Sequence, residues 1–507
     1  MVAILALLAA CTAIAQDGAA LFQKHCQACH SAAAENRAPL VDAMQKLSPA
    51  AVRASLESGL MKAQGDLLIA VERAALSDWL GKGTAIKIDK PAGACAAGLP
   101  PRTDSSFWNG WGVDEVNSRY QTPKMAGLKA ADVPRLKVKW AFGFGNTTTV
   151  VGQPTLVGGR LYFGSADGTI YNVDAATGCT YWTFKADGGV RSAPTVAAIQ
   201  AGRYALLFGD QRGQVYAIDA PTGRQIWKTK VEDHPVARLT GGLKVHGNRV
   251  YVPVSSHEEV NPANPAYPCC TFRGSLVALD TESGKILWKT HTIPDPPGPT
   301  KKYSAGTQLQ GPAGAAIWSS PTLDVEKRLI YASTGNGYSE PSVTYTDAII
   351  AFRMDTGAMV WHKQLTPDDN WNFSCSNPNK ANCPEKAGRD VDIGGSPILR
   401  KLKNGRRLLL VGQKSGIVHA IDPDAQGKIV WQTRLGKGGA LGGIQWGMAA
   451  DNEAVYAPLS DIDFRDPTAG GGMFALKIAT GERVWYTPPA KPACAGRRGC
   501  TPAQMAP

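Results

Sequence analysis

The chain lacks any block of like charge. Only 19% of its 507 residues are charged, and the 54 Lys and Arg behind a formal net charge of +12 are scattered. A nucleic-acid binder gathers its cations into a patch or stripe, so no nucleic-acid partner is expected. Beyond its first residues the chain also lacks an apolar run near the roughly 20 residues that a bilayer-crossing helix needs. That excludes a helical transmembrane span. What it has in quantity is Gly (55), Pro (34) and Trp (13). Gly and Pro supply the backbone angles of tight turns, so the composition predicts an all-β repeat protein, at a length that allows more than one domain.

The leader MVAILALLAACTAIA is apolar, lacks the usual basic start and ends in Ala13-Ile14-Ala15. This predicts a signal peptide over residues 1–15, cleaved before Gln16, and export to the periplasm. Leu8-Ala9-Ala10-Cys11 also resembles a lipoprotein box, which makes a lipid anchor at Cys11 the alternative. Eight of the eleven cysteines lie outside the leader and the first domain. An even number fits an oxidising compartment, although eight cysteines allow 105 pairings. Local spacing suggests Cys375–Cys383 and Cys494–Cys500, leaving Cys95–Cys179 by elimination and the adjacent pair Cys269-Cys270.

Residues 16–83 read as a small all-α domain, because SPAAVRASLESGLM and LLIAVERAALSDWL carry apolar residues at helical spacing. Its first helix holds Cys26-Gln27-Ala28-Cys29-His30. A C-x-x-C-H run offers two thiols for thioether links to haem and an imidazole for the iron. Met61, in the turn-like GLMKAQG, is the expected second iron ligand; Met44 competes, but LVDAMQKL reads as an amphipathic helix whose Met packs in a core. The domain resembles a short class I cytochrome c. A Pro/Ala/Gly-rich linker follows, over 84–104.

From 105 onward a repeat takes over: YNVDAATGCTYW182, YAIDAPTGRQIW227, VALDTESGKILW288, IAFRMDTGAMVW361, HAIDPDAQGKIVW431 and FALKIATGERVW485. Each reads as a strand, a Gly turn and an outer strand carrying Trp, the signature of a β-propeller of about 40–50 residues per blade. Three stretches exceed a bare blade, Asn261–Cys270, 294–313 and Ser374–Asp390, and extra loops on neighbouring blades suggest a site built on one face. KVKWAFGF (137–144) reads as an outer strand without inner partners, which suggests that it closes a last blade absent from this sequence.

Several residues, taken in order, resemble the quinoprotein alcohol dehydrogenases, propellers that bind pyrroloquinoline quinone (PQQ) and calcium on the ring axis. A cytochrome in front makes the chain most similar to the polyvinyl-alcohol dehydrogenase type of quinohaemoprotein. The resemblance implies eight blades, about six of them present in 105–507, with the C-terminal end incomplete. It implies Glu258 of S255-S256-H257-E258 as a calcium ligand, with Glu259 the runner-up, and Asn336 of T-G-N-G as another. Thr240 and Ser255 match groups that bind the quinone acids, and Trp318 matches the indole on which the quinone stacks. In TPDDNW371 the pattern selects Asp369, rather than Asp368, as catalytic base and metal neighbour. Arg191 and Lys414 match cations near the quinone, and Gln445-Trp446 a polar–aromatic pair on the next blade.

Two positions depart from that pattern. The adjacent cysteines usual just before Arg191 are replaced by KADGGV, and the pair Cys269-Cys270 instead follows Glu258, where it is expected to reach the cofactor face from another loop. An acidic residue expected three before Pro154 is Val151. The implied activity is hydride transfer from an alcohol, polymeric or secondary, to PQQ. Electrons then leave through haem c to an external cytochrome c, which gives the positive surface an acidic redox partner. Small alcohols, polyethers or sugars are the alternative substrates, and a non-catalytic propeller scaffold of the outer-membrane assembly type is the alternative class.

Overall fold

The computed structural model describes residues 17–31, 38–57, 61–84, 93–95, 107–144, 147, 149–199, 202–302, 307–378, 380–462, 469–492 and 500–503. The expected leader, Cys11, Cys494 and most of the linker lie outside the described residues. The chain divides into two compact units, Met1–Lys87 and Ile88–Pro507. No helix among the described residues is long and apolar enough to cross a membrane.

The first unit is all helix. Gly18–His25 begins at Asp17, whose side chain accepts from the Ala19 amide at 2.9 Å; that cap satisfies one of the first-turn donors that a helix leaves open. The helices Pro49–Glu57 and Ala70–Leu80 follow, with the short helices Val41–Met44 and Lys62–Gly65 beside them. Leu21, Phe22, Met44, Val52, Leu56, Leu68, Leu76 and Leu80 form one buried cluster. Gly18 is where the first and last helices touch: a Cβ there would lie 2.4 Å from Cβ of Trp79. Only glycine permits that approach, and Phe22 then meets Trp79 at 5.4 Å between ring centroids.

Among the described residues the second unit holds six antiparallel blades of four strands, over residues 155–185, 195–230, 244–291, 322–364, 398–434 and 449–487, the third joined by the short strand Ala237–Arg238. Within a blade the second strand is the most deeply buried; every residue of Arg407–Gly412 is buried, whereas Arg483–Thr487, the outer strand of blade 6, is exposed throughout.

The repeated Gly and Trp are explained by one contact. The turn glycines Gly178, Gly223, Gly284, Gly357, Gly427 and Gly481 all have φ between 69° and 78°. A Cβ on each would strike, in order, Trp140, Trp182, Trp227, Trp288, Trp361 and Trp431, at 3.0 Å or less. Each outer-strand indole therefore lies on the turn of the following blade, and in four cases its Nε1 donates to a carbonyl there: Trp140 to Ala175, Trp182 to Ala220, Trp227 to Thr281 and Trp431 to Ile478. Trp227 and Trp361 are buried, and truncating a buried Trp costs about 3–5 kcal/mol in typical cores; the four others are half-buried, so the interlock is strongest between blades 2 and 3 and between blades 4 and 5. Trp140 makes the same contact on blade 1, but residues 137–144 form no strand. The expected outer strand is corrected to an extended segment, because no inner strand among the described residues pairs with it.

A second tie was not legible in the sequence. The segment 108–118 touches every blade in turn. Trp108 exchanges two backbone hydrogen bonds with Leu156, and Asn109 exchanges two with Val196. The Lys244 ammonium donates to the Asp114 carbonyl, and the amides of Leu323, Leu399 and Ala450 donate to the carbonyls of Glu115, Val116 and Ser118.

Candidate active site

In the helical unit, His30 is buried and its Nδ1 lies 2.8 Å from the Pro39 carbonyl. A carbonyl only accepts, so Nδ1 donates to it and Nε2 is the nitrogen left for an iron. Cys26 and Cys29 are half-buried and not joined to each other. Burial, with Cys29 nearby, pushes the Cys26 thiol up to about 11, and burial raises Cys29 too. They are poor redox thiols and suit thioether attachment. Met44 is buried among the helices, whereas Met61 sits half-buried at the start of Lys62–Gly65. The residues present fit a covalently attached haem.

In the propeller, the loops that follow inner strands of blades 3 to 5 bring carboxylates and cations together. The turn Gly335–Gly337 follows Ser333, the end of a blade 4 strand, and is clamped on both sides. Gly335 accepts from the Asp347 amide and Gly337 donates to the Asp369 carbonyl, both at 2.9 Å. Asn336, buried between them, donates through Nδ2 to the Trp371 carbonyl at 2.8 Å and the Gly337 carbonyl at 3.0 Å. Its amide plane is thereby fixed, and its Oδ1 accepts no hydrogen bond among the described residues. Asp392 Oδ1 receives the Asn336 backbone amide at 2.6 Å, and Asp392 Oδ2 receives Lys414 Nζ at 2.8 Å. Lys414 Nζ also donates to Asp390 at 2.9 Å. Burial alone would lower the Lys414 pKa, but Asp390, Asp392 and Glu259 raise it above the lysine range.

Asp369 is buried, whereas Asp368 is exposed. The Asp369 carboxylate accepts from the amides of Asp390 (2.9 Å) and Val391 (2.7 Å). Burial raises its pKa, and those amides only partly offset the rise.

Glu258 is not brought to this group. Its two oxygens accept from Tyr267 Oη (2.8 Å), the Thr271 amide (2.9 and 3.0 Å) and the Phe272 amide (2.7 Å). With these three donors and no exposed surface, it anchors the 267–272 loop. The charges acting on the adjacent Glu259 are Asp392, Lys414, Arg238 and Arg191. Of the two neighbours, Glu258 is thus engaged by the 267–272 loop and Glu259 is the one exposed to these charges, a difference that motif spacing cannot encode. Burial, then Asp392, pushes Glu259 up to about 7.

The aromatic expectations meet in space. Trp318 and Trp446 stand edge to face, 5.1 Å between centroids, although 128 positions apart by number (446 − 318). Arg191 lies over Trp446 at 4.6 Å and Lys414 over Trp318 at 5.6 Å. Thr240 Oγ1 donates to the Trp318 carbonyl at 3.0 Å, which holds the indole's backbone. Gln445 precedes Trp446, and its carbonyl and the Trp318 ring edge both face Gly394, where a Cβ would lie 2.1 Å from Cη2 of Trp318. Ser255 pairs with Arg238 at the end of a blade 3 strand. Trp318, Trp446, Arg191 and Thr240 keep partial exposure. A half-open indole flanked by cations and a hydroxyl fits a flat, multiply acidic quinone.

The three long insertions are sewn into one layer over these residues. Asn382 Nδ2 donates to the carbonyls of Pro262 and Asn264, Asn377 to Ala263, and the Cys270 amide to Gln310. Disulfides Cys375–Cys383 and Cys95–Cys179 form as expected, and Cys500 is disulfide-bonded. Cys269 and Cys270 are joined to each other but fully buried, against Tyr338 and Asn372. They support the layer from within, and present no surface to a cofactor. Val151 is exposed and offers the site nothing.

Sequence reasoning missed Asp347, Asp390, Asp392, Arg238 and His257. The R-D-V-D run before I-G-G-S-P was the available signal. Among the described residues no three His, Cys, Asp or Glu side chains converge closely enough to cage a metal by themselves. A cation here also needs amide or cofactor oxygens.

Residues 108–393 match the PQQ family, glucose/ethanol/alcohol dehydrogenase, beta-propeller domain, and residues 13–80 match cytochrome C oxidase, cbb3-type, subunit III. The chain is 40% identical over 503 residues to the polyvinylalcohol dehydrogenase of a Pseudomonas species, covering 94% of this chain and 77% of that protein. The chain belongs to the PQQ-dependent alcohol dehydrogenase family. A polyvinylalcohol dehydrogenase of Sphingopyxis sp. strain 113P3 is likewise 40% identical, over 92% of this chain and 75% of that one. The solved quinohemoprotein alcohol dehydrogenase of Comamonas testosteroni shares the fold, with a TM-score of 0.54 at 20% identity over 75% of this chain and 73% of that one. As a member of this family the chain is a PQQ-dependent alcohol dehydrogenase carrying its own cytochrome c domain, and its expected cofactors are PQQ and haem c.

Proposed function

We propose that this enzyme oxidises secondary alcohol groups of a polymer such as polyvinyl alcohol in the periplasm, with calcium beside the quinone. The observation that carries the reading is the pairing of buried Asp369 with the oriented, acceptor-only Oδ1 of Asn336 across one backbone clamp. Glu259 and Asn336 would hold the calcium, which prefers hard oxygen donors. Trp318 and Trp446 would bind the quinone plane, and Arg191, Lys414, Thr240 and Ser255 its acidic edge. Asp369 takes the hydroxyl proton as general base; a cation beside it lowers its raised pKa and keeps it ionised. When bound, calcium supplies Lewis acidity toward the quinone carbonyl, PQQ the two-electron acceptor, and haem c a one-electron path outward. Cys26, Cys29 and His30 would hold the haem, with Met61 opposite, and an external cytochrome c would take the electrons.

The test is a titration of the purified full chain, loaded with haem, PQQ and calcium, with polyvinyl alcohol oligomers. Reduction of the haem spectrum is expected, and stronger than with ethanol or a sugar at matched hydroxyl concentration. Reduction by ethanol or sugar alone would overturn the substrate assignment, and reduction by none of them would overturn the catalytic reading.

A further inference from the structure

The strap 388–392 wraps the carboxylate of Asp369. A Cβ at Gly388 would lie 1.9 Å from Oδ1 of Asp369, so that position is open only to glycine. Beyond it the Asp390 amide donates to Oδ1 at 2.9 Å and the Val391 amide to Oδ2 at 2.7 Å, one donor for each oxygen. The Arg389 amide also favours the charge on Asp369. Consecutive amides that converge on one anion form a nest, which the chain makes where a residue within it turns left-handed. Asp390 is that residue: its φ is +55°, a region that Asp enters more readily than most side chains.

The side chains flanking the nest are clasped by one cation. Lys414 Nζ donates to Asp390 Oδ1 at 2.9 Å and to Asp392 Oδ2 at 2.8 Å, and the Lys414 amide donates to the Asp392 carbonyl at 3.1 Å. All three residues are buried. Asp392 carries the connection on to Asn336, whose amide its Oδ1 accepts at 2.6 Å. Two of the three ammonium hydrogens are thus taken by the strap, and one is left on the side of Trp318, whose ring centroid is 5.6 Å away. If position 390 had only to supply a left-handed φ, glycine would serve without strain. A carboxyl there is disfavoured by burial and by the charges of Asp392 and Glu259. The ion pair with Lys414 is what accounts for it, since it fixes the turn from the side-chain end.

We propose that Asp390 is a positioning residue for the reaction: clasped by Lys414, it keeps the 389–391 amides set as a receptor for the Asp369 carboxylate. The inference rests on the reading of Asp369 as base. With one lone pair of each Asp369 oxygen held by an amide, the direction of the remaining lone pairs is fixed, and the hydroxyl proton meets the base in one orientation.

The experiment measures turnover per bound PQQ in the full chain loaded with haem, PQQ and calcium, with bound PQQ counted by its absorbance. Asp390→Gly accepts the φ but leaves Lys414 without its partner, whereas Asp390→Asn tolerates the φ and keeps an oxygen for Lys414. A reacting group misplaced by about 1 Å costs up to about a hundredfold. Asp390→Gly is therefore expected to lower kcat by about tenfold or more with KM within about threefold of wild type, and Asp390→Asn to bring kcat back to within about threefold. In an Asp369→Asn background, Asp390→Gly is expected to remove nothing further, because it acts through the base. Asp390→Ala is read in the same way should the glycine variant not fold. Turnover of Asp390→Gly equal to wild type would overturn the proposal. So would an equal loss in Asp390→Asn, a further loss in the double variant, or failure of both the glycine and alanine variants to fold, which would make the acid a requirement of the fold alone. Wild-type turnover by Asp369→Asn would instead overturn the base reading.

Discussion

Glu258 and Glu259 are adjacent in the chain and serve different parts of the molecule. The first gives both oxygens to Tyr267, Thr271 and Phe272; the second lies among Asp392, Lys414, Arg238 and Arg191. Glu258→Gln leaves buried amides facing a neutral group, and hydrogen bonds to charged groups are worth about 1.5–3 kcal/mol each. It is expected to lower Tm by several degrees while calcium affinity stays within about threefold. Glu259→Gln is expected to do the reverse, losing calcium affinity by about tenfold or more with little change in the melting of metal-free protein at about pH 4.5, where the acid is still protonated in the fold. Calorimetry with and without calcium separates the two.

Asp369→Asn keeps one acceptor, for the Val391 or the Asp390 amide but not both, and removes the base. General-base catalysis contributes about 10²–10⁴-fold, and turnover is expected to fall by at least that factor. PQQ binding, followed by its absorbance, is expected to persist within about threefold. Asp368→Asn, at the exposed neighbour, is expected to leave kcat unchanged. Equal loss in both variants would remove the base assignment.

Periodic features of the fold were legible because they repeat. Each blade needs a glycine with positive φ under the preceding indole, so Gly and Trp recur at readable intervals, and C-x-x-C-H is local. The segment 108–118 was not legible, because its contacts with six separate blades are mostly backbone hydrogen bonds, joined by single side chains such as Asn109 and Lys244 that follow no repeat. At the site, Trp318, Asn336 and Asp369 stood out because a resemblance named them. Asp347 and Asp392 did not, since a single Asp before a strand reads as a surface charge until the loops above it are closed. The choice between Glu258 and Glu259 turned on which one the 267–272 loop captured, a tertiary fact that motif spacing does not encode.

The acid group predicts a pH dependence with a defined sign. Glu259 titrates near 4.5 when unfolded and is pushed up to about 7 in the folded, metal-free protein. Between those values the folded protein holds a proton that the unfolded chain has released. The contribution is fully present below about pH 4.5 and is lost as pH rises through 7, at no more than about 1.4 kcal/mol per pH unit. His257, pushed well below its ordinary value by burial and by Arg238 and Arg191, works in the opposite direction. The measurable quantity is therefore the difference in stability between wild type and Glu259→Gln across pH 4.5–7. It is expected to fall with pH in metal-free protein and to flatten or reverse with saturating calcium. A flat difference without metal would sink the account.

Met44 and Met61 differ in burial, and their variants are expected to differ in kind. Met61→His replaces a thioether ligand by imidazole, which lowers a haem potential; a fall on the order of 0.1 V is expected, within the ~0.8 V range that axial ligands span. Met44→Leu is a volume-conserving core change costing less than about 1.5 kcal/mol, and no shift in potential is expected. Spectroelectrochemical titration of the full chain measures both. A shift confined to the Met44 variant would exchange the two roles.

Gly394 offers a test of the quinone slot that leaves every proposed contact residue in place. Its φ is not in the left-handed region, so alanine is allowed by the backbone, and the whole effect is steric. The added methyl would lie 2.1 Å from Cη2 and 2.3 Å from Cζ2 of Trp318, and 2.4 Å from the Gln445 carbonyl. The indole must tilt away, and its edge-to-face partner Trp446 must follow or lose contact. Overpacking of this kind costs about 1–3 kcal/mol, and here it falls on the surface that would carry the quinone. Gly394→Ala is therefore expected to weaken PQQ binding by about tenfold or more and to lower Tm only modestly. Gly439→Ala, where a Cβ meets nothing within 4 Å, is the control and should change neither. If Gly394→Ala bound PQQ as tightly as the control, Trp318 would not be the surface on which the quinone lies, and the roles given to Lys414 and Trp446 would lose their common reference.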